Sequence, residues 1–154
     1  MESTKEFQEE TRRYFDRLAK DYDDSCDGRF VRCMYREVIR RAVSLPGDRV
    51  LDLGCGNGNL IRMLGEVKQV SCWGADLSPQ MIREAGKNLG EGVNLAVADA
   101  ASLPYGDGQF DIVICNASFH HYTEPERAVE EIRRVLRTGG TLILGDPTIP
   151  GRLA

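Results

Sequence analysis

The sequence predicts a doubly wound α/β fold, one parallel sheet with helices on both faces. Three observations carry that expectation. From residue 49 to residue 144, short apolar runs alternate with segments of helical period. The runs are apolar at successive positions, as strands buried on both faces are. A glycine-rich turn follows the first run, where a parallel strand hands over to its crossover helix, and right-handed crossovers then wind the sheet both ways.

The elements follow in order. Residues 1–45 read as two amphipathic helices. Phe7, Tyr14, Phe15 and Leu18 fall at helical spacing in the first. Val31, Met34, Tyr35, Val38, Ile39, Ala42 and Val43 form one face of the second. Asp27-Gly28 is expected to separate them, and Leu45-Pro46-Gly47-Asp48 to end the second. Arg49 to Leu53 is the first strand, and a helix from about Asn59 to Glu66 follows its turn. Val70 to Asp76 is the second strand. Ser78 caps the next helix with Pro79 at its first position. Val93 to Val97 is the third strand, leading to Asp99, and Phe110 to Cys115 is the fourth. Thr123 and Glu126 read as a capping box for a helix that buries Val129, Ile132, Val135 and Leu136 and stops at Gly139-Gly140. Thr141 to Leu144 is the fifth strand.

Composition narrows the function. At 154 residues the chain has one domain's worth of length, with a helical lid expected over 1–45 and a ligand-binding sheet domain over 46–154. Its net charge of −4 speaks against a partner built of phosphate backbone, so no nucleic acid is expected. No apolar run is long enough to span a membrane, and the charged N-terminus lacks a signal's apolar stretch. The five cysteines, at 26, 33, 55, 72 and 115, contain no C-x-x-C pair and have only two histidines beside them. That spacing suits neither a zinc site nor a disulfide framework, and a reducing cytoplasm is the expected setting.

Ligands of such sheets sit beyond the carboxyl ends of the strands. The first turn there is Asp52-Leu53-Gly54-Cys55-Gly56-Asn57-Gly58-Asn59. Its spacing is G-x-G-x-G. The dinucleotide pattern G-x-G-x-x-G fails at Asn59, which disfavours a nicotinamide dehydrogenase, and the turn holds no phosphate-binding lysine. Asp52 lies on the first strand, Asp76 ends the second and Asp99 follows the third. Three carboxylates in one crevice repel a pyrophosphate and suit a ligand with hydroxyls, an amine and a cationic centre. Asp76, 22 residues after Gly54, stands where a carboxylate accepts both ribose hydroxyls. S-adenosylmethionine has that ribose, an ammonium and a sulfonium, and no phosphate.

VLDLGCGNG, GADLSPQMIREA and the stretch from VADAASLPYGDGQFDIVICNASFHHYTEPERAVEEIRRVLRTGGTLILGD, in that order over residues 49–146, resemble the class I S-adenosylmethionine-dependent methyltransferases. The similarity is to the small-molecule group that includes the ubiquinone/menaquinone-biosynthesis C-methyltransferases. Tyr14 to Asp23 (YFDRLAKDYD) resembles that group's opening helix. The resemblance implies a Rossmann-like sheet of order 3-2-1-4-5 and transfer of a methyl group to a small-molecule acceptor. It also implies site roles. Gly54, Gly56 and Gly58 lie against the methionine and ribose, and Asp52 organises the turn and the ammonium. Asp76 holds the ribose hydroxyls, with Leu77 and Met81 against the adenine. Asp99 and the Ala100 backbone recognise the adenine ring, and the Asn116 carbonyl meets the ammonium. Tyr14 and Tyr22 come over the site.

A base is needed only where the acceptor must lose a proton. His120 and His121, just after the fourth strand, are the candidates, with Tyr22 a third. The competing reading packs His121 against the sheet top and leaves His120 in solvent. The competing function is a cofactor-binding module without catalysis, because binding and transfer share these motifs. Relative to the family, the chain is expected to lack the last helix and two strands. Strand five is then an apolar edge, to be covered by a second copy of the chain or by a rearranged N- or C-terminal segment, the alternative being that the 154 residues are a fragment of a longer protein.

Overall fold

The structure is a computed structural model that describes residues 3–147. Five strands, β1 (Arg49–Leu53), β2 (Ser71–Asp76), β3 (Asn94–Val97), β4 (Phe110–Asn116) and β5 (Leu136–Gly145), form one sheet in the order β3-β2-β1-β4-β5. Every neighbouring pair is parallel. Five helices accompany it: α1 (Thr4–Leu18), α2 (Cys26–Ser44), α3 (Asn59–Val67), α4 (Pro79–Leu89) and α5 (Pro125–Val135). Two short 3-10 turns cover Ala19–Asp24 and Phe119–His121.

The successive apolar residues of the strands serve two cores. Val50, Ile112 and Ile114 pack with Tyr35, Val38 and Ala42 of α2 and with Leu60, Ile61 and Leu64 of α3. Their neighbours Leu51, Leu53 and Val113 face the other way, onto Ala128, Ile132 and Val135 of α5. Side chains alternate across a strand, so a sheet covered on both sides needs apolar residues at every position. β4 is buried along its whole length.

Several boundaries correct the sequence reading. Asp27-Gly28 does not separate the first two helices. The break is the 3-10 turn at Ala19–Asp24, and α2 starts behind the N-cap Ser25, whose hydroxyl accepts from Gly28 N. Gly28 lies inside the first turn because a Cβ there would come within 2.0 Å of the Tyr22 carbonyl oxygen, a close approach only glycine allows. Thr123 and Glu126 form no capping box: α5 begins at Pro125 with Glu124 at the cap and no side-chain cap bond. β5 begins at Leu136 and not at Thr141, directly after α5. Its partner register shifts between Phe110 and Ile112, and Arg137 in that bulge donates to the buried Asp111 carboxylate at 2.5 Å.

Residues 1–45 do not behave as one layer. α1 and the 3-10 turn lie over α4, while α2 packs on α3, β4 and β5 and contributes core. The outer edge of β5 is not covered by any N-terminal strand among the described residues, because that segment is helical. Leu142 and Leu144 are exposed there. The expected C-terminal cover falls on residues 148–154, outside the described residues.

Candidate active site

The turn after β1 is bound to its neighbours by backbone. Gly54 N and Cys55 N both donate to the Ala75 carbonyl, at 2.7 and 3.0 Å, which ties the turn to the end of β2. Gly56 N donates to Asp76 Oδ2 at 2.8 Å. Gly58 is the N-cap of α3 with φ of +86°, and a Cβ on it would stand 2.7 Å from Leu89 Cδ1. Its glycine therefore serves the turn and the α3–α4 contact, and it lies outside the cavity wall.

Above the strand ends one cavity collects Asp52, Gly54, Gly56, Asp76, Leu77, Met81, Asp99, Ala100 and Asn116. Asp52 is buried, and that burial, followed by the charge of Asp76, lifts its carboxyl to about 7. Burial also raises Asp76, against the bonds it accepts from Ser78 N at 2.9 Å and Gly56 N. Asp99 accepts from Ala101 N at 2.9 Å through Oδ1 and from Gln8 Nε2 at 2.7 Å through Oδ2. Asn116 is buried, and its side-chain Oδ1 and Nδ2 both lack a partner in the protein. The next residue, Ala117, holds a positive φ of 54°, a backbone strain of the kind found at binding sites. Its N–H donates to the Gly145 carbonyl at 2.6 Å.

The N-terminal segment roofs the cavity with Gln8, Thr11, Phe15 and Tyr22. Its carboxylates dock on the helix starts below. Asp16 accepts from the Ser78 hydroxyl at 2.5 Å and from Gln80 N at 3.3 Å, at the N-terminus of α4. Asp23 accepts from Asn57 Nδ2 at 2.9 Å and from Asn59 Nδ2 at 2.6 Å, in the glycine turn itself. Sequence reasoning missed Gln8, Asp16 and Asp23. Acids on an amphipathic helix have the pattern of a solvated face, and only the run YFDRLAKDYD marked the segment.

Tyr22 lines the cavity, and burial pushes its phenol up to about 12. His121 lines it too, with its ring edge-on to Phe15 at 5.1 Å between centroids. Burial, then the neighbouring His120, lowers His121 to about 4, so the ring is neutral at pH 7. Besides Gly58, two more expected residues do not reach the cavity. Tyr14 is exposed and donates to Asp27 Oδ2 at 2.7 Å, in a shallow outer groove. His120 is exposed, with Nδ1 2.9 Å from Asp146 Oδ1.

These residues fit the cofactor that the sequence suggested. An unpartnered buried amide at Asn116 and a buried acid at Asp52 call for a polar, cationic partner. Asp76 spends one lone pair of each oxygen on the backbone and keeps the second for hydroxyls. No cluster of His, Cys, Asp and Glu suited to a metal occurs among the described residues.

Comparison with known proteins gives the same direction. A family profile described as "Methyltransferase domain" matches residues 51–144. The chain is 36% identical over 115 residues to the 27-O-demethylrifamycin SV methyltransferase of Amycolatopsis mediterranei, covering 70% of this chain and 42% of that one. It is 38% identical over 113 residues to the demethylmenaquinone methyltransferase of Thermus thermophilus, covering 68% and 51%. Among solved structures, the [4+2]-cyclase SpnF matches with a TM-score of 0.66 and 33% identity over 72% of this chain and 43% of that one. The chain thus spans about half the length of the curated relatives it matches.

Proposed function

The chain belongs to the class I S-adenosylmethionine-dependent methyltransferases, and on that premise we propose that its cavity binds S-adenosylmethionine and transfers the methyl group to a small-molecule acceptor by in-line displacement. The observation that carries the reading is the convergence of Asp52, Asp76, Asp99 and the unpartnered Asn116 on one cavity at the carboxyl ends of β1, β2, β3 and β4. The fold alone does not carry it, since a cyclase shares that fold. The named activities of the two curated relatives support a small-molecule acceptor.

When bound, the cofactor supplies a methyl group already activated on a sulfonium. The chain's own residues then bind, orient and exclude water. Asp76 accepts the ribose hydroxyls, Asp99 and the Ala100 backbone take the adenine edge, and Leu77 and Met81 flank its face. Asp52 and Asn116 take the ammonium end, with Gly54 and Gly56 against the methionine. Orientation of this kind is worth roughly 7–11 kcal/mol in favourable cases. His121, neutral at pH 7, holds a lone pair for an acceptor's proton. Tyr22 stands on the same wall. α1 and the following 3-10 turn act as a lid, while α2 stays with the sheet.

Turnover of methyl-labelled S-adenosylmethionine with a pool of small-molecule acceptors tests the reading. Binding without label transfer to any of them would favour the non-catalytic module. The exposed Leu142 and Leu144 on the β5 edge support pairing with a second copy. A monomer by light scattering at high concentration, with β5 amides exchanging freely, would reject that partner. The five free thiols suit a reducing, cytoplasmic setting.

A further inference from the structure

Residues 98–109 join β3 to β4, and their first part is one wall of the cavity. Ala98, Asp99, Ala100 and Ala101 line it. The chain closes on itself there. Ser102 N donates to the Asp99 carbonyl at 3.0 Å, and Ala101 N donates to Asp99 Oδ1 at 2.9 Å. The next residue, Leu103, is buried in the core that α5 shares with the sheet. The Asp99 carboxylate therefore stands one tight turn from Leu103, and whatever fixes Leu103 fixes the direction of that carboxylate.

Leu103 is fixed from α5. Its N–H donates to Glu131 Oε2 at 2.7 Å, and its carbonyl accepts from Arg134 Nη2 at 3.2 Å. The same guanidinium donates from Nη1 to the Tyr105 carbonyl at 2.7 Å and to Asp107 Oδ1 at 2.9 Å. Gly108 N donates in turn to the Arg134 carbonyl at 2.8 Å. Glu131 and Arg134, one helical turn apart, are joined by two further bonds, Nε to Oε1 at 2.8 Å and Nη2 to Oε2 at 2.9 Å. A planar fork with fixed donors meets all these acceptors at once, and the point charge of a lysine does not. Neither side chain lines the cavity, and α5 is seated on the sheet by its buried Ala128, Ile132 and Val135. The Tyr105 hydroxyl is buried and lacks a partner among the described residues. The loop in this position thus carries an unmet hydrogen bond, which the clamp outweighs.

We propose that Glu131 and Arg134 are positioning residues for the base of the bound nucleoside: from outside the cavity they hold Leu103, and through it they aim the Asp99 carboxylate at the amino group of the ring. The inference rests on the reading of the cavity as an S-adenosylmethionine site and deepens it, because it assigns the choice of adenine to α5 side chains that do not touch the ligand. Each Asp99 oxygen already accepts one bond, Oδ1 from Ala101 N and Oδ2 from Gln8 Nε2. One lone pair on each is left for the base, so the direction of the carboxylate decides whether the amino group is met.

Calorimetry with S-adenosylhomocysteine and S-inosylhomocysteine tests this, since the second carries a ring oxo group in place of the amino group. No binding of either to the unaltered chain takes down the cofactor reading, and this inference with it. The unaltered chain is otherwise expected to prefer the adenosyl compound by roughly 100-fold, because the oxo oxygen would face a carboxylate. Arg134→Gln and Arg134→Lys are each expected to cut that preference by about tenfold. Glu131→Gln, a milder change that leaves Leu103 N an acceptor, is expected to lose part of it with folding intact. Arg133→Gln removes the same charge from an exposed neighbour and should leave the preference whole. A variant that merely folds less well lowers the active fraction for both ligands and keeps their ratio. A preference that stays whole in all three clamp variants, an equal fall in Arg133→Gln, or an unaltered chain that binds both compounds alike would overturn the proposal while leaving cofactor binding intact.

Discussion

Asp23 and Asn59 meet at 2.6 Å across 36 residues of sequence, and the same carboxylate oxygen also accepts from Asn57 at 2.9 Å. An acid from the N-terminal segment thus holds the glycine turn from outside the sheet. The turn is built by two parts of the chain, and the family match begins only at residue 51.

Removing that acid should loosen the turn. Hydrogen bonds to a charged group contribute about 1.5–3 kcal/mol, so Asp23→Ala is expected to speed S-adenosylmethionine release by roughly 10- to 100-fold. Asp23→Asn keeps an accepting oxygen and should restore most of the loss. Stopped-flow release rates check this, and equal rates in all three proteins would remove Asp23 from the site.

Gln8 on Asp99 and Asp16 on Ser78 fasten the N-terminal segment at two more points. Amide exchange over residues 3–24 should slow when S-adenosylmethionine binds, because the ligand fills the space beneath Gln8, Thr11 and Phe15. α2, already in the core, should change little. Protection that rises only at 52–60 would show that no lid closes.

On the proposed reading, Asp76 accepts from two ribose hydroxyls at once. Asp76→Ala should weaken S-adenosylmethionine by about two orders of magnitude, at about 1–2 kcal/mol for each lost bond. It also strands the N–H groups of Gly56 and Ser78. Calorimetry on Asp76→Ala and Asp76→Asn separates the two effects, since the amide keeps one accepting oxygen. Unaltered affinity in both would reject the assignment.

Asp52 and His121 pull stability in opposite directions with pH. Asp52 is raised to about 7 by burial and then by Asp76, so the folded chain keeps a proton that the unfolded chain loses near pH 4. Its contribution is present in full below about pH 4 and is lost as pH rises through 7. His121 is lowered to about 4, so its contribution is present above about pH 6.5 and lost as pH falls through 4. Asp52→Asn removes only the first. The unaltered chain should therefore lose stability relative to Asp52→Asn as pH rises from 5 to 7.5, on the order of 2 kcal/mol. Urea midpoints at several pH values measure it, and a difference that stays constant with pH would contradict the lifted carboxyl.

The family resemblance implied the strand order, while the doubly wound sheet and the three acids at consecutive strand ends were legible as local pattern in the sequence. Each is a local signal: apolar runs at successive positions, a glycine turn, an Asp just past a strand. The sheet then carries those strand ends to one edge, so local placement becomes a shared cavity. Tertiary structure decided the rest. Gly28 reads as a turn residue, yet it is there for the Tyr22 carbonyl that α2 approaches. Tyr14 and Tyr22 are similar in sequence context, but α1 turns the first to the outer groove and the 3-10 turn after it sets the second on the cavity. His121 lines the cavity while His120, its neighbour in the chain, is exposed. Asp16, Asp23 and Gln8 gained their roles from partners 34 to 91 residues away, and such partners leave no periodicity in the sequence because the contact forms only when the helix docks.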